Sequence, residues 1–228
     1  MKAMILAAGR GERMRPLTNN TPKPLLPVNG KPLIVYHLEK LSSLGVSEVI
    51  INTAYLGEKI IASLGDGERW GLRIVYSQEP YALETGGALN HALSLLGDEP
   101  FLLVNGDVWC DLAFSRIASS PLNDSVAHLW LVNNPDHNLD GDFSLDVSTV
   151  MMKQDVLPAY TFSGLALVHP KMIADYPQRR EAFALKEVFL YWISKCRLSG
   201  SLFEGDWCDV GTPERLVALE QSLKEASV

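Results

Sequence analysis

Short apolar runs rich in β-branched residues alternate with longer runs of helical period through the first half of the chain. Met4–Ala8 is uninterrupted and apolar, which predicts a first strand buried on both faces. Pro32–Leu44 carries Leu33, Tyr36, Leu38 and Leu41 at roughly helical spacing, and Gly45 supplies a stop. Glu48–Asn52 reads as the next strand, Gly57–Leu64 as a short helix and Arg73–Tyr76 as a third strand. Thr85–Leu96 reads as a helix with Thr85 as its N-cap, and Phe101–Val104 as a strand ending at Asn105-Gly106-Asp107. Beyond about residue 120 the alternation loosens. Val126–Val132 and Ala166–Val168 look like strands around a polar region, Asn133 to Gln154. Glu181–Lys195 looks helical, and Thr212–Ala226 forms a last helix with Thr212 as N-cap and Pro213 in its first turn. Strands interleaved with helices predict an α/β fold with a mixed, mainly parallel sheet covered by helices. The expectation is one domain over 1–228, with a nucleotide-binding half at about 1–110 and a more irregular half at about 111–228.

Composition narrows the classes. At 47% hydrophobic residues over 228 positions the chain is ordinary for a folded protein, and no apolar run spans a bilayer. Cys110, Cys196 and Cys208 are odd in number and irregular in spacing, which argues against disulfides and fits a reducing, cytoplasmic location. They read as small buried fillers rather than thiol nucleophiles. A net charge of −7 disfavours nucleic acid. The balance is uneven, however: residues 1–31 hold Lys2, Arg10, Arg13, Arg15, Lys23 and Lys31 against Glu12 alone. A compact basic segment on an acidic protein suits a small polyanion such as a triphosphate, as it also suits a solvated loop.

Four segments carry candidate chemistry. Gly9-Arg10-Gly11-Glu12-Arg13 follows the first strand directly, where glycine lets backbone N–H groups approach phosphate oxygens. It is neither GxGxxG, because Met14 replaces the third glycine, nor a P-loop. Lys23 stands between Pro22 and Pro24, which stiffen the chain and hold one ammonium in place at low entropic cost. Asp107 lies just past a buried strand, where open α/β sheets bind ligands, and a carboxylate there suits Mg²⁺ or simply closes an Asx turn. Asp209, in Trp207-Cys208-Asp209-Val210-Gly211-Thr212, either decorates a helix N-terminus or supplies a second metal carboxylate.

Together these segments resemble the sugar-1-phosphate nucleotidylyltransferase family, from residue 1 to about 220. The resemblance implies the nucleotide-diphospho-sugar transferase type of fold, without a C-terminal β-helix, and Mg²⁺-dependent transfer of a nucleotidyl group to a sugar 1-phosphate. It implies nucleotide contacts from Leu6, Ala8, Gly9, Gly11, Arg13, Lys23, Gln78, Gly86 and Gly87. Arg13 and Lys23 are implied as catalytic phosphate neutralisers, and Asp107 and Asp209 as metal ligands. Asn105, Gly164 and Glu187 are implied on the sugar side, with the direction of Lys186 and Glu187 left open. Two departures stand out: Glu84 replaces the usual glycine before Thr85, and Phe162-Ser163-Gly164 replaces Asn-Ala-Gly.

Within the family the chain resembles most the short uridylyltransferases of cell-wall recycling, which implies UTP and N-acetylmuramic acid 1-phosphate as substrates. Guanylyltransferases acting on mannose 1-phosphate share the motifs, and a non-catalytic nucleotide-sugar sensor is the reading from another class. No hexapeptide repeat follows residue 220, and a monomer is favoured over larger assemblies. None of the five histidines falls within a candidate phosphate motif, in keeping with a nucleophile that is already an anion. Asp107→Asn is expected to abolish most activity while leaving stability nearly unchanged.

Overall fold

The computed structural model describes residues 1–225. Strand β1 (Lys2–Leu6) opens the chain, and after the turns of residues 7–26 comes a small hairpin, β2 (Pro27–Val28) and β3 (Lys31–Pro32). The alternation continues with α1 (Leu33–Ser43), β4 (Glu48–Thr53), α2 (Gly57–Leu64) and β5 (Arg73–Gln78). Helices α3 (Glu84–His91) and α4 (Leu93–Leu96) lead to β6 (Phe101–Asn105) and β7 (Val108–Cys110). The second half holds α5 (Phe114–Ala118), β8 (Ala127–Val132), β9 (Phe143–Asp146), β10 (Thr149–Met151) and β11 (Ala159–Val168). It closes with α6 (Lys171–Ala174), α7 (Leu185–Ile193), β12 (Leu198–Phe203), β13 (Trp207–Asp209) and α8 (Pro213–Glu225). Ala226, expected in the last helix, lies outside the described residues.

Nine strands form one mixed sheet in the order β5-β4-β1-β6-β11-β8-β12-β10-β9. The strands of the first half, β5, β4, β1 and β6, run parallel, and β11 joins β6 antiparallel. The apolar runs are continuous because both sheet faces are covered. Ala3, Ile5, Val49, Ile51, Leu102 and Val104 face one core layer with α1 and α2. Met4, Ile50, Phe101 and Leu103 face the other, against α3 and α7. A third cluster packs Met14, Leu26, Val28 and Leu33 under Val210, Leu216 and Leu219. Thus α8 covers the turns that carry Lys23. Among the described residues no helix is long and apolar enough to cross a membrane.

Several expected boundaries shift for identifiable reasons. β1 starts and ends two residues early, because the Ala7 N–H leaves the ladder and donates to Asn52 Oδ1 at 2.7 Å. The helix expected at Thr85–Leu96 begins at Glu84 and breaks at Ala92. Thr85 does not cap it: its hydroxyl accepts from the Leu185 N–H at 3.0 Å and caps α7 instead. Residues 181–184, expected to be helical, bend and then run irregularly into α7, and their backbone packs on α3. The polar region 133–154 contains β9 and β10, and β7, β12 and β13 were not foreseen.

Candidate active site

The strand ends set the site. Leu6, Asn52 and Asn105 lie in register at the carboxyl ends of β1, β4 and β6. A first cleft of about 210 Å³ opens beyond them, lined by Leu6, Ala7, Ala8, Gly9, Lys23, Asn52, Glu79, Glu84, Thr85, Asn105 and Asp107. Asn52 braces its floor, accepting from Ala7 N–H and donating from Nδ2 to Glu79 Oε1 at 2.6 Å. The buried Glu79 carboxylate also accepts from the Leu83 N–H at 3.1 Å, so one amide and one carboxylate lock both loops that wall the cleft. Gly9 has no packing reason to be glycine: a Cβ there would meet no protein atom within 4 Å. The room it leaves belongs to the cleft. Gly11 differs, with φ at +61° and a Cβ position 2.9 Å from Thr18, and it shapes the turn rather than lining the cleft.

A two-stranded ribbon brings the distant carboxylates together. β7 and β13 pair antiparallel with Val108 opposite Asp209, and the Val210 N–H donates to the Asp107 carbonyl at 2.8 Å. Lys23 sits in a 3-10 turn, almost fully buried, and its Nζ is 2.5 Å from Asp107 Oδ2. Asp209 Oδ1 accepts from Arg215 at 2.9 Å and lies 3.0 Å from His137 Nε2. Burial pushes the Asp209 carboxyl up, against the pull of Arg215 and His137, and neighbouring Asp107 pushes the same way as burial. A second cleft of about 360 Å³ lies on the far side, lined by Arg13, His137, Asn138, Asp142, Phe162, Gly164, Trp207 and Asp209. Asn105 and Asp107 line both clefts, so the two meet at the carboxylates. Gly164, with φ at +82°, admits the Asn105 side chain, whose atoms would stand 2.8–2.9 Å from a Cβ. Asn105 Oδ1 is buried without a hydrogen-bond partner.

The remaining sequence candidates fall elsewhere. Gln78 is exposed and lines an adjoining groove with Thr53 and Glu58, because strand alternation turns it opposite to Ser77; its neighbour Glu79 lines both that groove and the first cleft, while Gln78 does not reach the cleft. Gly86 and Gly87 line neither cleft. Their Cβ positions fall 2.6 Å from the Phe183 ring and 2.4 Å from the Glu181 carbonyl, and both N–H groups donate to the Phe183 carbonyl. These glycines let α3 approach the 181–183 segment. Glu187 also lines neither cleft: it forms an ion pair with Arg180 at 2.7 Å and accepts from the Ala184 N–H at the start of α7. The Arg180 guanidinium holds its carboxyl below the usual range. Lys186 points the other way, 3.6 Å from Asp142 of the second cleft. Glu84 adopts φ of +59°, so the residue that replaces glycine occupies the backbone conformation glycine favours.

Asn52, His137, Asp142 and Arg215 are absent from the sequence candidates, whereas Glu79 belongs to the Gln78-Glu79-Pro80 segment that the family resemblance puts near the base. Of those four only Asn52 carries a signal, as a polar residue ending an apolar run. Cys208 lies beside Asp209, and burial pushes its thiol up to about 11, which removes a thiolate from the chemistry. Among the described residues no group of three or more His, Cys, Asp or Glu is arranged to hold a metal. Two hard carboxylates beside a phosphate-sized cleft nevertheless fit Mg²⁺, which takes one or two carboxylates and completes its shell with substrate phosphates and water.

Comparison with known proteins places the chain in a family. The chain is 50% identical over 221 residues to an N-acetylmuramate alpha-1-phosphate uridylyltransferase of Neisseria meningitidis, covering 95% of both chains. It is 31% identical to a mannose-1-phosphate guanylyltransferase of Mycobacterium tuberculosis, covering 94% of this chain but 62% of that one. A solved structure of HddC from Yersinia pseudotuberculosis, complexed with GMP-PN, matches with a TM-score of 0.77 at 24% identity over 97% of this chain and 99% of that one. A Bacillus anthracis structure assigned as a glucose-1-phosphate thymidylyltransferase matches with a TM-score of 0.87 at 22% identity over 99% of this chain and 96% of that one. The structural likenesses show the shared fold. With residues 2–133 matching the nucleotidyl transferase family model and a relative half identical along nearly its whole length, the chain belongs to the nucleotidyl transferase family.

Proposed function

We propose that the enzyme transfers the uridylyl group of UTP to N-acetylmuramic acid 1-phosphate and releases pyrophosphate, in the cytoplasm, where its three thiols stay reduced. The half-identical Neisseria relative supports the choice of substrates. The observation that carries the reaction is the junction of two clefts at Asp107, with Lys23 and Asp209 beside it. The nucleotide takes the first cleft, its phosphates against the backbone of Ala8 and the open side of Gly9. The sugar phosphate takes the second, against Asn105, His137 and Asn138. The attacking phosphate oxygen is already an anion and needs no general base. The obstacle is charge, because this anion must reach a phosphorus surrounded by negative oxygens. Asp107 and Asp209 would hold Mg²⁺, which when bound neutralises phosphate oxygens. Lys23 and Arg13 offset the rest, and the stiff Pro22-Lys23-Pro24 turn keeps the ammonium in place. Asn105 lines both clefts, and a turn of its side chain would present the buried, unpartnered Oδ1 to a sugar hydroxyl or amide.

The test is pyrophosphate release with Mg²⁺ over a grid of UTP, GTP, dTTP, CTP and ATP against N-acetylmuramic acid, N-acetylglucosamine, mannose and glucose 1-phosphates. Turnover with UTP and the muramic acid compound is expected. Preference for GTP and mannose 1-phosphate would overturn the substrates, and silence across the grid with nucleotide binding intact would favour a sensor.

A further inference from the structure

We propose that Arg215 competes with a divalent cation for Asp209, so that metal binding depends on the triphosphate arriving with it. The inference rests on the assignment of Asp209 as a metal carboxylate. Asp209 Oδ1 is shared between the Arg215 guanidinium at 2.9 Å and His137 Nε2 at 3.0 Å. A cation on that oxygen has to displace at least one of them, and a cation on Oδ2 still lies beside the Arg215 guanidinium, so either way Arg215 opposes it. The Arg215 side chain is 19% exposed, yet its Nε is buried with no hydrogen-bond partner, an arrangement that is costly unless something else holds the guanidinium.

What holds it is the ion pair and the space over Gly211. A Cβ at Gly211 would stand 1.8 Å from one Arg215 nitrogen and 3.3 Å from a nitrogen of Arg13. Glycine at 211 leaves open the space that the Arg215 guanidinium occupies next to Arg13. Anchoring of α8 does not explain this, because its first turn is already held by the Leu216 N–H donating to the Thr212 carbonyl and by Leu216 packed in the third core cluster.

Charge explains it better. At the junction Lys23, Arg13 and Arg215 face Asp107 and Asp209, so the carboxylates are already matched by cations. A lone divalent cation would add charge beside Lys23, Arg13 and Arg215 with no further anion to offset it. Entering with a triphosphate, it brings excess negative charge, and Lys23 and Arg215 each exchange a carboxylate oxygen for a phosphate oxygen. Such an exchange couples the two ligands, and coupling is reciprocal.

The test titrates the full-length enzyme with Mn²⁺ in the absence of nucleotide and follows free Mn²⁺ by electron paramagnetic resonance. Arg215→Met is expected to bind Mn²⁺ about tenfold tighter than wild type, within the usual range of such coupling. Arg215→Lys, which keeps a cation on Asp209, is expected to stay near wild type. In the reciprocal measurement, calorimetry should show Mg·UTP binding more weakly to Arg215→Met. A structural role alone would not raise Mn²⁺ affinity. If the methionine variant does not fold, Arg215→Gln serves in its place. Equal Mn²⁺ affinity in wild type and the neutral variant overturns the proposal while leaving the metal assignment intact, provided Asp209→Asn still loses Mn²⁺ in the presence of UTP. Unchanged Mn²⁺ retention by Asp209→Asn with UTP overturns the metal assignment and the proposal together.

Discussion

Asp107→Asn tests the junction most directly, and the structure changes what it should do. From the sequence alone, a loss of activity with stability intact is expected. Asp107, however, is the partner of Lys23, whose side chain is only 10% exposed, and the amide would leave that ammonium buried beside a neutral group. Breaking a fully buried pair on one side costs about 3–5 kcal/mol. The Asp107 side chain is 40% exposed, so water and salt reach the pair, and the discounted cost is about 1–2 kcal/mol. For a domain of this size each kcal/mol moves Tm by about 2–4 °C, so calorimetry should show a fall of about 2–8 °C. Turnover should fall by about 10²–10³, the usual effect of losing one transition-state electrostatic contact. Lys23→Met in the same background removes the orphaned charge and should recover most of the lost stability without recovering activity. A Tm within 1 °C of wild type, or no recovery in the double variant, would refute the pair as a stabilising contact. Turnover within tenfold of wild type would refute the role of the carboxylate in catalysis.

Three further outcomes follow from particular contacts. Gly87→Ala sets a Cβ 2.4 Å from a backbone carbonyl that cannot swing aside, so thermal denaturation should show a loss of about 1–3 kcal/mol with the KM for nucleotide little changed; the reverse pattern would return Gly87 to the nucleotide site. Glu84→Gly relieves a left-handed backbone and should leave stability unchanged or up to about 1 kcal/mol higher, so any large loss of turnover would mark the Glu84 carboxylate as a ligand contact in the first cleft. His37 is fully buried, and burial, with Lys40 nearby, lowers its pKa from 6.5 to about 4. The unfolded chain therefore binds the extra proton between those values, stability is lost as pH falls from 6.5 toward 4, and the loss is on the order of 3 kcal/mol. Urea unfolding of wild type and His37→Gln at pH 7 and pH 5 checks this, because the variant lacks that component of the pH slope.

What could be read along the chain was whatever a segment records about its own surroundings. The runs of β1, β4 and β6 are apolar without alternation because both of their faces are covered, and that burial is legible one strand at a time. The same holds for α2, whose bounds matched, and for the isolated marks of chemistry at Gly9, Lys23, Asp107 and Asp209. Strands β7, β10 and β13 have three residues each, too few for any period to declare itself, and they exist because a partner strand satisfies their backbone. That Asp107 and Asp209 share one junction depends on β7 pairing with β13, a long-range register that no local pattern encodes. The glycines show the division most clearly. Their positions stand in the sequence, but only the packed structure separates Gly9, which leaves the first cleft open, from Gly86 and Gly87, which leave room for Phe183 and the Glu181 carbonyl. Arg215 and His137 likewise carried no mark of their own, since their meaning comes from the one carboxylate oxygen on which tertiary folding converges them.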